Sequence, residues 1–488
     1  MGEDGQGGNL EIGGRLILES VIRFGTDGWR GRIAEDFTFA NVSRCAQGVA
    51  DYLKNQGIEE QGLVVGYDTR FLSKQFAETV ASVCAGNGIK VYLAAKFAPT
   101  PVITYNVLHW QAAGAAIITA SHNPALWNGF KFKPSYAGSA TQEITDQLEA
   151  AIAAAGAARS IPLDQAEAQG LVTVFDPDPP YLERIGTLVD VESIRQAGMS
   201  LLVDAMFGAG AGYITRLLSG GATQIQELHS EVNPAFPGIA QPEPIAQNLP
   251  RLMQRVQDDR SSVGLALDGD ADRLGVVDEN GRFITTLEVF TLLALYLLQE
   301  KGRRGPVVKG VTSSMMLNKL GEMFGVEVHE MKVGFKYIGP QMTSVDALIG
   351  GEESGGFAFQ GHIPERDGIL SGLLFLEYMA RTGRTPSQLV DHLFDLVGPH
   401  YYHRRDVEFN PDDRQRIEGL LADEGLDQLA GMPVTGSDQI DGRRLRFENA
   451  WLASRFSGTE PLLRIYAEAG SPEQLTALLD AAQEYLGV

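Results

Sequence analysis

The sequence predicts an α/β protein: three consecutive α/β domains with mixed sheets, then a smaller C-terminal α+β domain. Three observations carry the fold class. The chain has 488 residues, which at roughly 100 to 200 residues per domain suggests three or four domains. Apolar segments of strand length alternate with longer segments of helical period, as βαβ architectures require. From about Asp406 that rhythm gives way to a short block ending in one amphipathic helix.

The elements follow in order. Gly62 to Tyr67 reads as a buried strand, Lys74 to Ala85 as a helix and Lys90 to Ala94 as the next strand. Ala115 to Ile118 is a short buried strand, and the Ala-rich stretch Ala150 to Ala158 reads as a helix surface. The rhythm returns at Ser200 to Asp204, where Phe207 to Gly210 leads into a helix over Gly212 to Leu218. It recurs at Val263 to Leu267, Val307-Val308 and Ala347 to Ile349, and the last helix is predicted over Pro472 to Tyr485. Boundaries fall at the Pro-rich Asp176 to Pro180, around Gly281 and at His400 to Arg405. The expected domains are therefore 1–180, 181–283, 284–402 and 403–488.

Composition narrows the function. Lys and Arg total 40 against 62 Asp and Glu, a net charge of −22, which argues against a general nucleic-acid binder. The longest apolar run, Leu287 to Leu298, is broken by Glu288 and falls short of the ~20 residues of a membrane span. The opening MGEDGQGG is acidic and Gly-rich, unlike a signal peptide, and reads as a frayed tail. Gln6 stands where a myristoylation signal wants Ser or Thr. The two cysteines, Cys45 and Cys84, form neither a disulfide framework nor a metal motif and are expected to be reduced, so the protein is placed in the cytoplasm. Asn41-Val42-Ser43 matches a glycosylation acceptor by chance. The high glycine content, 56 residues, suggests many tight loops and some that approach ligands.

Four loops carry the chemistry. TASHNP at 119–124 follows a buried strand, so Ser121 lies at the strand-to-loop edge where open sheets place active sites. Asn-Pro is also a turn signal, so the stretch alone is either a turn or a catalytic loop. A serine-hydrolase reading lacks the G-x-S-x-G elbow, and the adjacent His122 cannot be assumed to be a base. DGDADR at 268–273 also follows a strand pattern, and Asp268, Asp270 and Asp272 alternate, so three carboxylates can converge on a hard cation. An EF-hand competes through Glu279 at loop position 12, but Arg273 occupies the position that needs Gly and a strand precedes the loop. Three carboxylates with room for a phosphate oxygen suit Mg²⁺.

GEESGG at 351–356 offers Glu352 and Ser354 to neighbouring sugar hydroxyls, or is simply a solvated acidic connection. RFSGTEP at 455–461 with Arg464 gathers Arg455, Ser457 and Thr459 around Gly458, the chemistry a phosphate dianion wants; a basic turn paired with acidic neighbours is the alternative. Lys131, in Asn128 to Lys131, can return to the Ser121 site, although a solvated lysine is the default. FGTDGWRG at 24–31, with Arg32 directly after it, brings Arg30 and Arg32, as surface charges or phosphate contacts.

Together these motifs, in this order from residue 24 to residue 464, resemble the α-D-phosphohexomutase superfamily of phosphoglucomutases and phosphomannomutases. The resemblance covers nearly the whole chain and implies four domains around a cleft, the last hinged. It implies a phosphoserine at Ser121, which is also a metal ligand, an Mg²⁺ on Asp268, Asp270 and Asp272, a sugar loop at Glu352 and Ser354, and a phosphate loop at Arg455, Ser457, Gly458, Thr459 and Arg464. By position in the family pattern Lys131 is the acid/base group, helped by Arg30, His122 and Arg273, while Arg366 in HIPERDG is a further phosphate contact. The Val333-Gly334-Phe335-Lys336 segment is closer to the Gly-Trp-Lys loop of phosphoglucomutases than to the Gly-His loop of many phosphomannomutases, so Lys336 is read as a substrate contact and glucose is favoured. Phe335 in place of Trp keeps mannose and glucosamine phosphates open. The implied reaction interconverts glucose 1-phosphate and glucose 6-phosphate through glucose 1,6-bisphosphate; release of the bisphosphate, or a non-enzymatic sugar-phosphate or Ca²⁺ sensor, are the competing readings. Hexose phosphates are the expected partners, neither nucleic acid nor membrane is, and the sequence leaves monomer and dimer both open.

Overall fold

The computed structural model describes residues 22–423, 425–457 and 462–488. The expected tail at the N-terminus, and Gly458 and Thr459 of the phosphate loop, lie outside the described residues.

The first sheet contains β1 (Trp29–Arg32), β2 (Leu63–Tyr67), β3 (Val91–Ala94), β4 (Gly114–Ile118), β5 (Trp127–Pro134) and β6 (Val172–Phe175), in the order β1-β5-β4-β2-β3-β6. Strands β4, β2, β3 and β6 run parallel, and β5 reverses against β4. Continuous apolar strands such as LVVGY and GAAII form here because both faces are covered. Helices Phe39–Gln56 and Ser73–Gly86 pack on one face and Thr100–Trp110 on the other.

The second sheet, β7 (Ser200–Asp204), β8 (Gln224–Leu228), β9 (Val263–Leu267), β10 (Leu274–Val277) and β11 (Phe283–Ile284), runs β11-β10-β9-β7-β8. The third, β12 (Val307–Gly310), β13 (Val328–Met331), β14 (Ile349–Gly351) and β15 (Phe357–Phe359), runs β13-β12-β14-β15. One connection recurs in all three sheets. A strand of the parallel core leads through a loop into an antiparallel neighbour, as β4 to β5, β9 to β10 and β14 to β15. Those loops contain TASHNP, DGDADR and GEESGG respectively. The sequence alone shows three unrelated motifs; topology makes them one position used three times.

The fourth sheet is antiparallel. It comprises β16 (Tyr401–Glu408), then, after a short hairpin of β17 (Gln428–Leu429) and β18 (Met432–Pro433), strands β19 (Gly436–Asp438), β20 (Arg443–Arg446), β21 (Ala450–Phe456) and β22 (Leu462–Ala469), ordered β16-β22-β21-β20-β19. Helix Pro472–Leu486 buries Leu475, Leu478, Leu479 and Ala482 against it, and the Ser471 hydroxyl caps the helix by accepting from the Gln474 N–H. One apolar cluster runs through the first three domains, from Val64 to Val397, whereas the fourth sheet keeps a core of its own. The fourth sheet joins the third largely by polar contacts: Glu468 accepts from Ser314 Oγ and the Met315 N–H, and Arg444 pairs with Glu330.

Two local expectations are corrected. The helix expected to 158 ends at Ala154, because Ala155 turns extended just before Gly156. The strand expected at Ala347 to Ile349 lies at Ile349–Gly351, since its ladder with β12 begins only at Ile349 opposite Val307. The candidate boundary at His400 to Arg405 coincides with the entry into β16. The apolar run at Leu287 belongs to the buried helix Thr286–Leu295, and among the described residues no helix is long and apolar enough to cross a membrane.

Candidate active site

Ser121 sits one turn past β4 in a left-handed conformation, φ 51°, which costs a non-glycine residue about 1 kcal/mol or more and must be imposed by its surroundings. The strain aims the hydroxyl inward. Ser121 is buried, and its Oγ donates to Asp268 Oδ2 at 2.9 Å and lies 3.2 Å from His122 Nδ1. Its carbonyl is pressed against the Asp268 to Arg273 loop: a Cβ on Gly269 would come 2.4 Å from Ser121 O, so only glycine fits there.

Asp268, Asp270 and Asp272 are fully buried, with ligand oxygens all within 4.8 Å of one another. The loop curls back on itself, since Asp268 Oδ1 accepts the N–H groups of Asp272 and Arg273 at 2.9 and 3.0 Å and Ala271 takes φ 56°. Asp270 Oδ2 accepts from Thr100 Oγ1 at 2.6 Å. Among the described residues Asp270 Oδ1 and Asp272 Oδ1 have no hydrogen-bond partner. Burial, and then the charges of Asp270 and Asp272, push Asp268 well above the usual carboxylate range. Dry, crowded carboxylates with unpaired oxygens are what a hard divalent cation relieves, so the residues fit one.

Lys131, on β5 opposite Ile117, reaches the same point. Its Nζ lies 2.7 Å from Asp27 Oδ2, 2.8 Å from Asp270 Oδ2 and 3.2 Å from Asp272 Oδ2, and it is almost wholly buried. Burial alone would lower its pKa, but Asp27, Asp270 and Asp272 outweigh burial and hold it above the ordinary lysine value. Asp27 was not singled out in the sequence, although it lies within FGTDGWRG. Burial would raise its carboxyl, yet Lys131, Lys133 and Arg366 hold it well below the usual range. Lys133 pairs with Asp27 and Glu365 at 2.7 and 2.6 Å. A sequence scan could have found this group only by treating the alternation Lys131, Lys133 on one strand as inward-facing.

Arg366 belongs to this cluster. Its guanidinium meets Asp27, Asp272 at 2.9 Å, Glu365 at 3.2 Å and Glu352 at 3.7 Å, and a Cβ on Gly356 would collide with its Cδ at 2.3 Å. It thus ties the acidic triad to the GEESGG loop. Glu352 is buried, and burial raises its carboxyl against the pull of Arg366 and Arg273. Ser354 is half-buried in the same loop.

On the serine side, Arg30 donates to Asn123 Oδ1 at 2.6 Å and Arg273 donates to Glu243 Oε1 at 2.9 Å. Burial, then Arg273, Arg30, Arg70 and Lys131, hold His122 well below the usual imidazole value, so it is neutral at pH 7. Arg32 stands apart, exposed and paired with Glu35 at 3.5 Å. A second residue the sequence reading passed over is Arg70, whose guanidinium is buried beneath the serine loop.

Lys336 opens the helix Phe335–Val345, and its Nζ donates to Gln142 Oε1 at 2.7 Å, away from the carboxylate cluster. In the fourth sheet Arg455 on β21 lies directly opposite Arg464 on β22. Like charges facing each other across a ladder repel. Asp441, 3.1 Å from Arg455 Nε, and Asp406, 4.0 Å from Arg464 Nε, offset part of this, and an anion between the strands would offset more. The Ser457 N–H donates to Leu462 O at 2.8 Å and closes the loop that the pair flanks. Asp441 also accepts the Val333 N–H at 3.1 Å, and Tyr402 OH donates to Glu353 Oε1 at 2.8 Å. The fourth sheet is thereby linked to both the VGFK and GEESGG segments.

Three topologically equivalent loops from three α/β sheets, with a fourth, antiparallel sheet that carries an arginine pair, define a four-domain α/β protein in which a buried serine, an acidic triad and a buried lysine come together. Family models described as phosphoglucomutase/phosphomannomutase α/β/α domains I, II and III match residues 21–159, 179–281 and 287–397, and the C-terminal domain model matches 411–484. The chain belongs to the phosphoglucomutase/phosphomannomutase family. It is 32% identical to a phosphoglucomutase/phosphomannomutase of Thermococcus kodakarensis, over 95% of this chain and 96% of the relative. It is 29% identical to a phosphoglucosamine/phosphogalactosamine mutase of Sulfurisphaera tokodaii, over 91% and 95%. A crystal structure from Thermus thermophilus, assigned to phosphomannomutase, superposes with a TM-score of 0.84 at 37% identity, covering 96% of this chain and 100% of that one.

Proposed function

We propose that the protein interconverts glucose 1-phosphate and glucose 6-phosphate, carrying the phosphoryl group on Ser121 and passing through glucose 1,6-bisphosphate. The observation that carries this reading is the meeting of Ser121 Oγ with Asp268 at 2.9 Å while Lys131 Nζ is held by Asp270 and Asp272 of the same loop. A hydroxyl, an acidic triad and a buried ammonium share one point at the ends of two strands. Phosphoryl transfer depends on positioning and charge neutralisation more than on covalent chemistry by many groups.

The roles divide by sheet, with domains at 1–180, 181–283, 284–402 and 403–488. Asp268, Asp270 and Asp272 would hold Mg²⁺, with an oxygen on Ser121 as a further ligand, and the ion would supply charge neutralisation at the transferring phosphoryl group. Arg455, Ser457, Gly458, Thr459 and Arg464 grip the phosphate that does not react. Glu352 and Ser354 orient the sugar hydroxyls. When the phosphoryl leaves Ser121 for the free sugar hydroxyl, the P–Oγ bond breaks and a P–O bond to the sugar forms. The proton of that hydroxyl must end on Ser121 Oγ. Lys131, an ammonium at neutral pH, donates to the leaving Oγ and is restored by the hydroxyl proton. His122, neutral beside Oγ, keeps the serine oriented, and Arg30 and Arg273 add positive charge at the phosphoserine. The bisphosphate then turns end for end and returns its other phosphate to Ser121. The location is the cytoplasm, where buried Cys45 and Cys84 stay reduced.

The decisive assay incubates phosphorylated protein and Mg²⁺ with glucose, mannose and glucosamine 1-phosphates and separates every mono- and bisphosphate. Glucose 6-phosphate should dominate, with glucose 1,6-bisphosphate only at the level of the enzyme. Net accumulation of bisphosphate would favour a synthase, and faster conversion of the glucosamine ester would favour the specificity of the Sulfurisphaera relative.

A further inference from the structure

Arg70 follows β2 and points beneath the serine loop. Its side chain is 1% exposed. Nη2 donates to Ser121 O and Asn123 O, both at 2.6 Å, and Nη1 donates to Pro124 O at 3.0 Å and Trp127 O at 3.1 Å. Nε lies 3.2 Å from Asp68 Oδ2, and the plane rests near the Phe236 ring, 5.1 Å from its centroid.

Four carbonyl oxygens converge on one small volume, and their dipoles repel unless a cation lies between them. A planar guanidinium can serve four acceptors and a carboxylate at once; a lysine ammonium has three donors in a tetrahedral spread. The first of those carbonyls belongs to Ser121 itself, the residue at φ 51°. The same carbonyl is wedged against Gly269 of the acidic loop. Arg70 therefore holds the peptide that sets how Ser121 Oγ stands over Asp268.

We propose that Arg70 is the positioning residue of the phosphoryl-carrying serine: it gathers the loop's carbonyls and fixes Ser121 Oγ against the acidic triad, touching neither substrate nor the reacting atoms. The proposal rests on the reading of Ser121 as the phosphoryl carrier.

The test measures Arg70→Lys in the full-length protein, with Ser121→Ala alongside, by steady-state turnover of glucose 1-phosphate and by intact-mass detection of Ser121 phosphorylation from glucose 1,6-bisphosphate. A displacement of about 1 Å costs on the order of 100-fold in rate, so kcat and the phosphorylation rate should fall together by about that factor while KM stays within about threefold. A merely structural role predicts a loss of folded protein that leaves kcat per folded molecule unchanged, and that result overturns the proposal. If Arg70→Lys does not fold, Asp68→Asn, which keeps the guanidinium but loosens it, should lower kcat about tenfold; unchanged kcat there also overturns it. An inert Ser121→Ala with a normal Arg70→Lys removes the positioning role alone, whereas a fully active Ser121→Ala removes the mutase reading and the positioning role with it.

Discussion

Ser121→Ala is expected to reduce turnover of glucose 1-phosphate by at least about 10⁴-fold, because in the proposed mechanism Ser121 carries the phosphoryl between the two ends of the sugar. The fold should survive the change. The hydroxyl makes one hydrogen bond to Asp268 and one contact to His122, worth about 1 kcal/mol each, and the loop's carbonyls remain on Arg70. Binding of the hexose phosphate should be nearly unchanged, since Arg455 and Arg464 lie in the fourth sheet. Calorimetric affinity beside turnover separates the two effects. A variant that keeps even a tenth of the activity means that the phosphoryl group travels by another route.

Lys131→Met should produce the second largest effect, and a double one. Removing the ammonium proposed as the acid/base group is expected to lower kcat by about 10² to 10⁴-fold. It also strips three buried carboxylates of a shared partner. Breaking a buried ion pair from one side costs about 3 to 5 kcal/mol, here reduced because Asp27 keeps Lys133 and Arg366 and Asp270 keeps Thr100. Thermal unfolding should therefore show a clear loss of stability in chelator and a smaller one in millimolar Mg²⁺. Lys131→Arg should not restore kcat, because a flat fork cannot replace a compact ammonium that sits 2.7 to 3.2 Å from three oxygens. Equal destabilisation with and without Mg²⁺ would show that the triad does not bind the ion.

The predicted residues differ in how visible they were. Asp268, Asp270 and Asp272 were legible because alternation after a strand has few structural explanations. Ser121 was legible as the residue at a strand end, but its positive φ and its contact with Asp268 depend on pairing between loops 147 positions apart. Asp27, Lys133 and Arg70 escaped because each works through partners remote in sequence: Asp27 meets Arg366 across 339 positions and Lys133 meets Glu365 across 232. No local pattern encodes such pairs. Arg366 was expected as a phosphate contact, and the structure places its charge among carboxylates of the cluster. Lys336 was read as a substrate contact from its motif, and its ammonium donates to Gln142. The α/β rhythm was readable throughout, whereas the equivalence of the three loops was not. It lies in which strands run antiparallel, and strand direction leaves no trace in an apolar run.

The most direct measurement follows a phosphate placed on Ser121. Protein phosphorylated with isotopically labelled glucose 1,6-bisphosphate is mixed with unlabelled glucose 1-phosphate, and the label on the protein and in the sugar phosphates is followed in Mg²⁺ and in chelator. In Mg²⁺ the phosphate should leave Ser121 as fast as turnover and appear in glucose 1,6-bisphosphate and glucose 6-phosphate, while in chelator it should stay on the protein. Turnover that proceeds while the label remains on Ser121, or that is indifferent to the ion, would contradict the account.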